Sequence, residues 1–417
     1  MKLIKTTFFS GIITIIRITS GFVANKVVAS YTGTAGIAVI GSFVNFINIV
    51  LTFANGGISA GVVKYTAEFE ADEPKLKSLF STSLKISLFC SGIVGIVLLI
   101  LANFFSKLIF LSNIYSNQIR ILGITIFLYA LNVLFLSILN GKKQIKTYTI
   151  VNTVGSIVGL LVTVLLVYFF KLDGALYALV LSQSIIFFIT LFFVMKSSWF
   201  SMDYFYQRLD HEIVKKLGQY TLMAIVSALT VPVSQLVLRN MIIETKGIND
   251  AGLWQGMMRI SDGYLMLMTT ALATYYLPKL SSLKITSEIR TEILNGYKVI
   301  LPTVFASCAI IFFFRFTIID LLYTKDFRSM SDLFFFQLLG DFFKMGSWIL
   351  AYLMLAKSMT KIFIITEIVF SGLYVVLGYV CVNYFGIEGI AIAFAINYLL
   401  YWLLMTTIFI KTILHHD

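Results

Sequence analysis

Long apolar runs alternate with short polar segments along the whole 417-residue chain. Each run contains about 20 residues, which is the length that an α-helix needs to cross the hydrocarbon core of a bilayer. Helices are predicted because an open sheet cannot satisfy its backbone hydrogen bonds in lipid. The pattern predicts twelve transmembrane helices, at residues 8–30, 36–60, 79–101, 119–139, 148–170, 174–195, 217–240, 252–277, 296–318, 333–355, 362–384 and 389–411.

Composition supports an integral membrane protein. The chain is 59% hydrophobic and only 12% charged, with a mean hydropathy of +0.92. Soluble globular proteins carry roughly 25% charged residues. The loops between the predicted spans are no longer than about 22 residues. They therefore leave no room for a soluble catalytic domain.

The basic residues predict the orientation in the membrane. The formal net charge is +12, and the charges lie between apolar runs. Of the 32 Lys and Arg residues, eighteen fall in loops on one side of the membrane and five in loops on the other. Cytoplasmic loops are enriched in Lys and Arg, so we expect both termini in the cytoplasm. The basic excess favours an anionic substrate over nucleic acid, which is not expected as a partner.

An internal repeat is visible at an offset of about 215 residues. Residues 170–174 (FKLDG) resemble residues 385–389 (FGIEG), and Lys146 corresponds to Lys361. Six helices per half is an even number, so both halves keep the same topology. The sequence therefore predicts two six-helix bundles related by a parallel repeat, formed by residues 1–209 and 210–417.

Ionisable residues inside predicted spans mark candidate functional positions, because they are costly in lipid. Arg17 lies near the middle of the first span and has no acidic neighbour on its own helix, so we expect it to face a hydrated cavity. The other candidates for substrate binding are Lys26, Arg239, Arg259, Lys344 and two members of a polar stripe on the second span, Asn45 and Asn48. The stripe could equally form hydrogen bonds between helices.

Three acids lie well inside the spans: Asp262, Asp341 and Glu367. Arg259 and Asp262 are three residues apart, as are Asp341 and Lys344, so each pair shares a helix face. Both a structural ion pair and a functional role are open for each pair. The three acids are also the candidates for coupling to a proton or sodium gradient.

Motifs for other energy sources and for catalysis are absent from the sequence. There is no phosphate-binding loop and no zinc-protease or serine-hydrolase motif. The three cysteines lie inside apolar runs without metal-ligand spacing. We expect no cofactor, no metal and no enzymatic activity. The energy source is then an ion gradient or the gradient of the substrate itself.

An ordered set of segments points to a known family: residues 10–43 (with Arg17 and GTAG), 61–68 (GVVKYTAE), 229–239 (LTVPV through Arg239), 259–280 (RISD through LPKL) and 337–357 (QLLGD through AK). Together these segments resemble the Wzx-type flippases of lipid-linked oligosaccharides. The resemblance covers essentially the whole chain. It implies the fold of the MOP (MATE-like) transporter superfamily, with two bundles around a cationic central cavity.

The resemblance also implies a function. Its substrate would be an oligosaccharide on undecaprenyl diphosphate, moved by alternating access from the cytoplasmic to the periplasmic leaflet of the bacterial inner membrane. The O-antigen unit and the enterobacterial common-antigen unit are both open as substrates. A polysaccharide polymerase and a chain-length regulator are expected protein partners. The alternatives are a MATE-type drug or cation antiporter and a membrane enzyme of polysaccharide assembly.

Overall fold

The computed structural model describes residues 2–197, 199–276, 279–280, 283, 285–357 and 359–409. These residues form helices and connecting turns, with no strand among them. The α-helices of this part of the chain are α1 (Lys2–Ala54), α2 (Ser59–Glu68), α3 (Glu73–Ile100), α4 (Ala102–Phe110), α5 (Ser116–Gly141), α6 (Ile145–Met195), α7 (His211–Thr245), α8 (Ile248–Ala271), α9 (Thr286–Phe313), α10 (Arg315–Leu322), α11 (Phe334–Ala356), α12 (Thr360–Phe385) and α13 (Glu388–Ile408).

The predicted spans coincide with these helices. Within the described residues, nine helices are long and apolar enough to cross a membrane. They account for eleven predicted spans, because α1 and α6 each contain two. Helix α8 contains most of the remaining one. The ends of the predicted spans 252–277 and 389–411 lie outside the described residues, as does Leu277-Pro278 of the LPKL segment.

Paired spans are joined by very tight reversals of the backbone. Gly33 (φ 64°) interrupts α1, and Lys171 (φ 50°) interrupts α6. Gly247 (φ 102°) separates α7 from α8, and Gly386 (φ 65°) separates α12 from α13. Positive φ is readily adopted by glycine, which has no Cβ to clash. Lys171 and Gly386 are 215 residues apart, which is the offset of the sequence repeat.

The repeat extends to the packing beside two of these reversals. A Cβ on Gly174 would lie 1.9 Å from the carbonyl oxygen of Leu166. A Cβ on Gly389 would lie 2.1 Å from the carbonyl oxygen of Cys381. Both pairs differ by 215 residues, so the two halves use the same close helix-to-helix contact at the same place.

The chain divides into two compact units. The N-terminal unit contains residues 1–32 and 39–233, and the C-terminal unit contains residues 33–38 and 234–417. The short segment 33–38 joins the C-terminal unit, where Thr34 donates a hydrogen bond to Asn249 (2.7 Å). Helix α7 contributes its first part to one unit and its second part to the other. The division of the sequence at residue 209 stays a prediction.

Each unit has its own apolar core. In the N-terminal unit the core includes Phe80, Leu134 and Ile138. In the C-terminal unit it includes Met345 and Ile349. Large apolar side chains nevertheless remain exposed along the helices, among them Phe89, Ile100, Leu161, Val299, Phe313 and Ile365. A water-soluble protein rarely exposes such surfaces, whereas lipid solvates them. The chain is a multi-pass membrane protein, and the predicted all-α integral membrane fold is confirmed.

The segment that leads into α7 is attached to α3. Ser81 donates a hydrogen bond to the carbonyl oxygen of Gln207 (2.6 Å), and Ser78 donates one to the Asp210 carboxylate (2.9 Å). Asp210 also accepts the backbone N–H of Glu212 (2.9 Å), as the N-terminal cap of a helix does. The Ser78 hydroxyl and these backbone donors lower the pKa of Asp210 below its ordinary value.

Candidate functional site

A polar cavity of about 520 Å³ lies within the N-terminal unit. Its walls are the first part of α1, the second half of α5 and both parts of α6, with single contributions from Leu51 and Val63. The polar lining residues are Arg17, Ser20, Tyr129, Asn132, Ser137, Asn140, Tyr148, Asn152, Ser156, Thr163, Ser182 and Gln183. This volume lies within the range of about 300–1,000 Å³ that is typical of small-molecule sites.

Arg17 is the one charged residue among those that line this cavity, all of which the structure describes. Its side chain is exposed, so protein atoms do not cover the guanidinium. Ser20, Gly21 and Ala24 follow on the same face of α1, and their small side chains leave room beside it. The sequence has no acidic residue before Glu68, so α1 itself offers no counter-ion. The site can accept an anion.

The amide-rich wall of this cavity, on α5 and α6, was not predicted from the sequence. Asn132, on α5, is buried and accepts a hydrogen bond from Thr190 (2.6 Å). Its amide nitrogen donates to the Gln183 side-chain oxygen (3.3 Å). The sequence did contain one signal for this wall: Asn152, Ser156 and Thr163 are spaced so that they share one face of α6.

The other polar candidates on α1 do not line this cavity. Lys26 is half-buried and lies nine positions after Arg17. Asn45 is buried and Asn48 is exposed. The structure therefore does not bring these three residues together with Arg17 in the N-terminal cavity, and their roles stay predictions.

A buried carboxylate, Asp341 on α11, is the centre of the polar network in the C-terminal unit. Ser261 lies 2.6 Å from both carboxylate oxygens, and Tyr264 donates to one of them (2.7 Å). Gln337 donates a longer hydrogen bond (3.4 Å). The side chain of Asp341 is fully shielded from solvent. Hydroxyl and amide donors thus stabilise this acid inside the unit.

The cations of the C-terminal unit contact aromatic rings. The Lys344 ammonium lies 5.0 Å from the ring centre of Trp348 and 5.7 Å from that of Tyr398. It forms no ion pair with Asp341. The structural ion pair, which the sequence leaves open as one of two alternatives for these positions, is therefore not formed, although the two residues share a helix. Aromatic faces attract a cation by their quadrupole.

Arg239 is almost fully buried. Its guanidinium donates a hydrogen bond to the side chain of Gln255 and lies 5.6 Å from the ring centre of Trp254. Arg239 is therefore enclosed by α8 side chains.

The remaining candidates differ in exposure. Asp262 is exposed, whereas Arg259 and Glu367 are half-buried. Arg259 and Asp262 lie in the middle of α8, and Glu367 lies on α12. Their roles in binding or coupling stay predictions. In the described part of the chain, no cluster of three or more His, Cys, Asp or Glu side chains could hold a metal ion.

Comparison with known proteins identifies the family. Residues 36–332 match the family described as "Polysaccharide biosynthesis protein". The chain belongs to this family. Among its relatives are the lipid III flippases of Escherichia coli (strain K12) and Shigella flexneri. Each is 27% identical over 410 residues, which cover 98% of this chain and 99% of the relative.

Solved structures show the fold of this family member. It is similar to a multidrug resistance MATE family transporter of the MOP superfamily in an inward-facing conformation, with a TM-score of 0.78, 16% identity and coverage of 96% of this chain and 98% of the other. A MOP superfamily transporter from Pyrococcus furiosus with a binding pocket of reverse polarity gives a TM-score of 0.71, 15% identity and 96% coverage of both chains. The predicted MOP/MATE-like fold and the resemblance to flippases are both confirmed.

Proposed function

We propose that this protein is a flippase for an oligosaccharide linked to undecaprenyl diphosphate. It carries the head group from the cytoplasmic to the periplasmic leaflet by alternating access. The observation that carries the proposal is the polar cavity of the N-terminal unit, in which Arg17 is the charged lining residue. Similarity to lipid III flippases over nearly the full length supports the same conclusion.

The chemistry of the cavity suits a diphosphate. Bare phosphate cannot enter hydrocarbon, so a carrier must replace its lost hydration with other donors. An Arg guanidinium presents several N–H donors in a fork that matches phosphate oxygens. The hydroxyls and amides of the wall can hydrogen-bond sugar hydroxyls as donors and acceptors. The prenyl tail stays in lipid during transfer.

The proposed energy source is a proton or sodium gradient that acts through Asp341. A buried carboxylate that forms no ion pair with Lys344 can gain a proton or a small cation with little rearrangement. The hydroxyls of Ser261 and Tyr264 donate hydrogen bonds to the ionised carboxylate of Asp341. Because a hydroxyl can also accept, either one can rotate to accept the proton of the neutral acid. Asp262 and Glu367 remain further candidates for coupling.

The proposed location is the bacterial inner membrane, with both termini in the cytoplasm. The bias of eighteen basic loop residues against five supports this orientation. A polysaccharide polymerase and a chain-length regulator are the proposed protein partners, because they would use the exported unit. No enzymatic activity is proposed for the chain.

Complementation tests the function. The gene is expressed in bacterial strains that each lack one flippase, for common-antigen units or for O-antigen units, and surface glycan is measured. Restoration in one strain supports the proposal and identifies the sugar class. The purified chain in proteoliposomes should also translocate the matching lipid. Gradient-driven uptake of a cationic dye without lipid translocation would favour a drug antiporter, and glycan polymerisation would favour an enzyme.

A further inference from the structure

Three hydrogen-bonded side chains, Thr190, Asn132 and Gln183, fix the direction of hydrogen bonding in the N-terminal cavity. The Thr190 hydroxyl lies 2.6 Å from the Asn132 side-chain oxygen and 3.0 Å from the carbonyl oxygen of Ile186. A hydroxyl has one proton, which serves the shorter contact. Because its oxygen accepts that proton, Asn132 directs its amide nitrogen at Gln183.

Gln183 therefore presents donors to the cavity. Its side-chain oxygen accepts from Asn132 (3.3 Å), so its amide nitrogen, with two N–H groups, remains for a ligand. Thr190 and Asn132 are almost completely buried. Water cannot readily replace either of them, so loss of the Thr190 hydroxyl would leave a buried amide without its fixed orientation.

The donors in the cavity differ in charge. The Arg17 guanidinium is suited to a phosphate, whereas the Gln183 amide is suited to a neutral oxygen. A single head group satisfies both when a sugar with a carbonyl oxygen, such as an N-acetyl group, is attached to the diphosphate. Sites that hydrogen-bond their ligand reject analogues that lack the acceptor far more strongly than apolar sites do.

We propose that Gln183, oriented by Thr190 and Asn132, is a specificity-determining residue that recognises an acceptor oxygen on the sugar next to the diphosphate. The inference rests on the proposed function and adds to it the part of the substrate that this wall contacts. Arg17 binds the common diphosphate, and Gln183 distinguishes glycosylated from bare carrier lipid.

Binding to the purified full chain in detergent tests the proposal with two probes. These are undecaprenyl diphosphate and the same lipid carrying one N-acetylhexosamine. Wild type should bind the glycosylated lipid more tightly. Gln183→Ala should raise the Kd of the glycosylated lipid about 5-fold and leave that of the bare lipid unchanged, as loss of one neutral hydrogen bond predicts. Gln183→Met, which has no donor and adds no charge beside the diphosphate, should behave in the same way.

Thr190→Val should reproduce the effect of Gln183→Ala, because it removes the hydroxyl that orients Asn132 and, through Asn132, Gln183. The matched control is Thr149→Val, since Thr149 is a buried threonine on the same helix whose hydroxyl donates only to Ile145 and does not line the cavity. Arg17→Ala should raise the Kd of both lipids. Circular dichroism and gel filtration confirm that each variant is folded.

Two results separate this inference from the proposed function. If wild type binds both lipids and the Gln183 variants change neither Kd, or change both equally, the role of Gln183 is wrong and the flippase proposal stands. If wild type binds neither lipid, both proposals are overturned.

Discussion

The two units of this protein place their charged side chains in opposite kinds of surroundings. In the N-terminal unit an exposed cation, Arg17, lines an open polar cavity. In the C-terminal unit an anion, Asp341, is fully enclosed by hydroxyl and amide donors. The cation Lys344 lies against aromatic rings instead of pairing with that anion.

Under the proposed function, this difference gives different tasks to two units that share one architecture. An exposed guanidinium can exchange hydration for a ligand's phosphate, which is a property of a binding site. An enclosed carboxylate can only exchange a proton or a small ion, which is a property of a coupling site. The repeated backbone reversals and glycine contacts show that the scaffold of the two halves has diverged less than their polar side chains.

Removal of the cation should have the largest effect. Arg17→Ala should lower export of lipid-linked glycan by roughly 30-fold or more, because truncating one partner of a desolvated charge pair costs at least about 2 kcal/mol. Arg17→Lys should retain part of the activity, since it keeps the charge but loses the fork. Surface glycan is measured at matched levels of membrane-inserted protein. Normal export by Arg17→Ala would remove this residue from the binding site.

Neutralising the enclosed acid should have the next largest effect. Asp341→Asn keeps the shape of the side chain but cannot be ionised, so lipid translocation in proteoliposomes should fall about 10-fold. The remaining activity should no longer respond to an imposed proton or sodium gradient. Asp332→Asn is the control, because Asp332 is an exposed acid whose carboxylate is hydrogen-bonded to the neighbouring Ser331. An unchanged gradient response in Asp341→Asn would assign coupling to another residue.

Substitution of the two repeated glycines tests the shared scaffold. Gly174→Ala and Gly389→Ala each place a Cβ against a backbone carbonyl oxygen, at 1.9 Å and 2.1 Å, so the helices must move apart. Each should destabilise the protein by roughly 1–3 kcal/mol. Thermal unfolding in detergent measures the effect. Gly92→Ala and Gly372→Ala are controls, since no atom lies within 4 Å of their added Cβ. Clearly unequal losses would contradict a common scaffold.

The attachment of the segment before α7 should give the smallest effect, and it concerns the N-terminal unit alone. Asp210→Ala removes a helix cap and should cost about 1 kcal/mol, whereas Asp210→Asn keeps the cap. The pKa of Asp210 is lowered by Ser78 and backbone donors, so its charge stabilises the folded state above its ordinary pKa. That contribution decreases as the pH falls below the ordinary pKa of about 4 and is lost below the lowered pKa of the folded state.

Melting temperatures of wild type and Asp210→Asn should therefore differ at pH 7 and approach each other as the pH falls through the lowered pKa of Asp210. Asp203→Ala, in the same segment, serves as the control because the carboxylate of Asp203 does not cap a helix in the described structure. A difference that persists at low pH would mean that the charge of Asp210 is not its source.

The spans were predictable from sequence because lipid imposes one simple rule on every segment. A run of about 20 apolar residues must be a helix whatever it packs against. The repeat was predictable because the segments around Lys171 and Gly386 (FKLDG and FGIEG) are alike in sequence, and both hold a backbone reversal. Arg17 could be singled out because a lone charge on an apolar helix needs water or a partner.

The side-chain networks could not be predicted in the same way. Asp341 and Lys344 are correctly spaced for an ion pair, but Ser261 and Tyr264 from another helix bind the acid instead. Asn132 and Gln183 are 51 residues apart in sequence, so no local pattern connects them. Contacts between helices depend on rotation and depth, which hydropathy does not specify.

The positive φ of Lys171 marks a position at which the two halves of the chain differ in sequence but keep the same backbone reversal. The second half uses Gly386 at this reversal, while the first half holds a lysine at φ 50° and ψ −122°. Such a conformation costs a non-glycine residue roughly 1–3 kcal/mol. A laboratory selection for heat resistance should therefore recover Lys171→Gly. The first half of the chain would then have the same residue at this reversal as the second half.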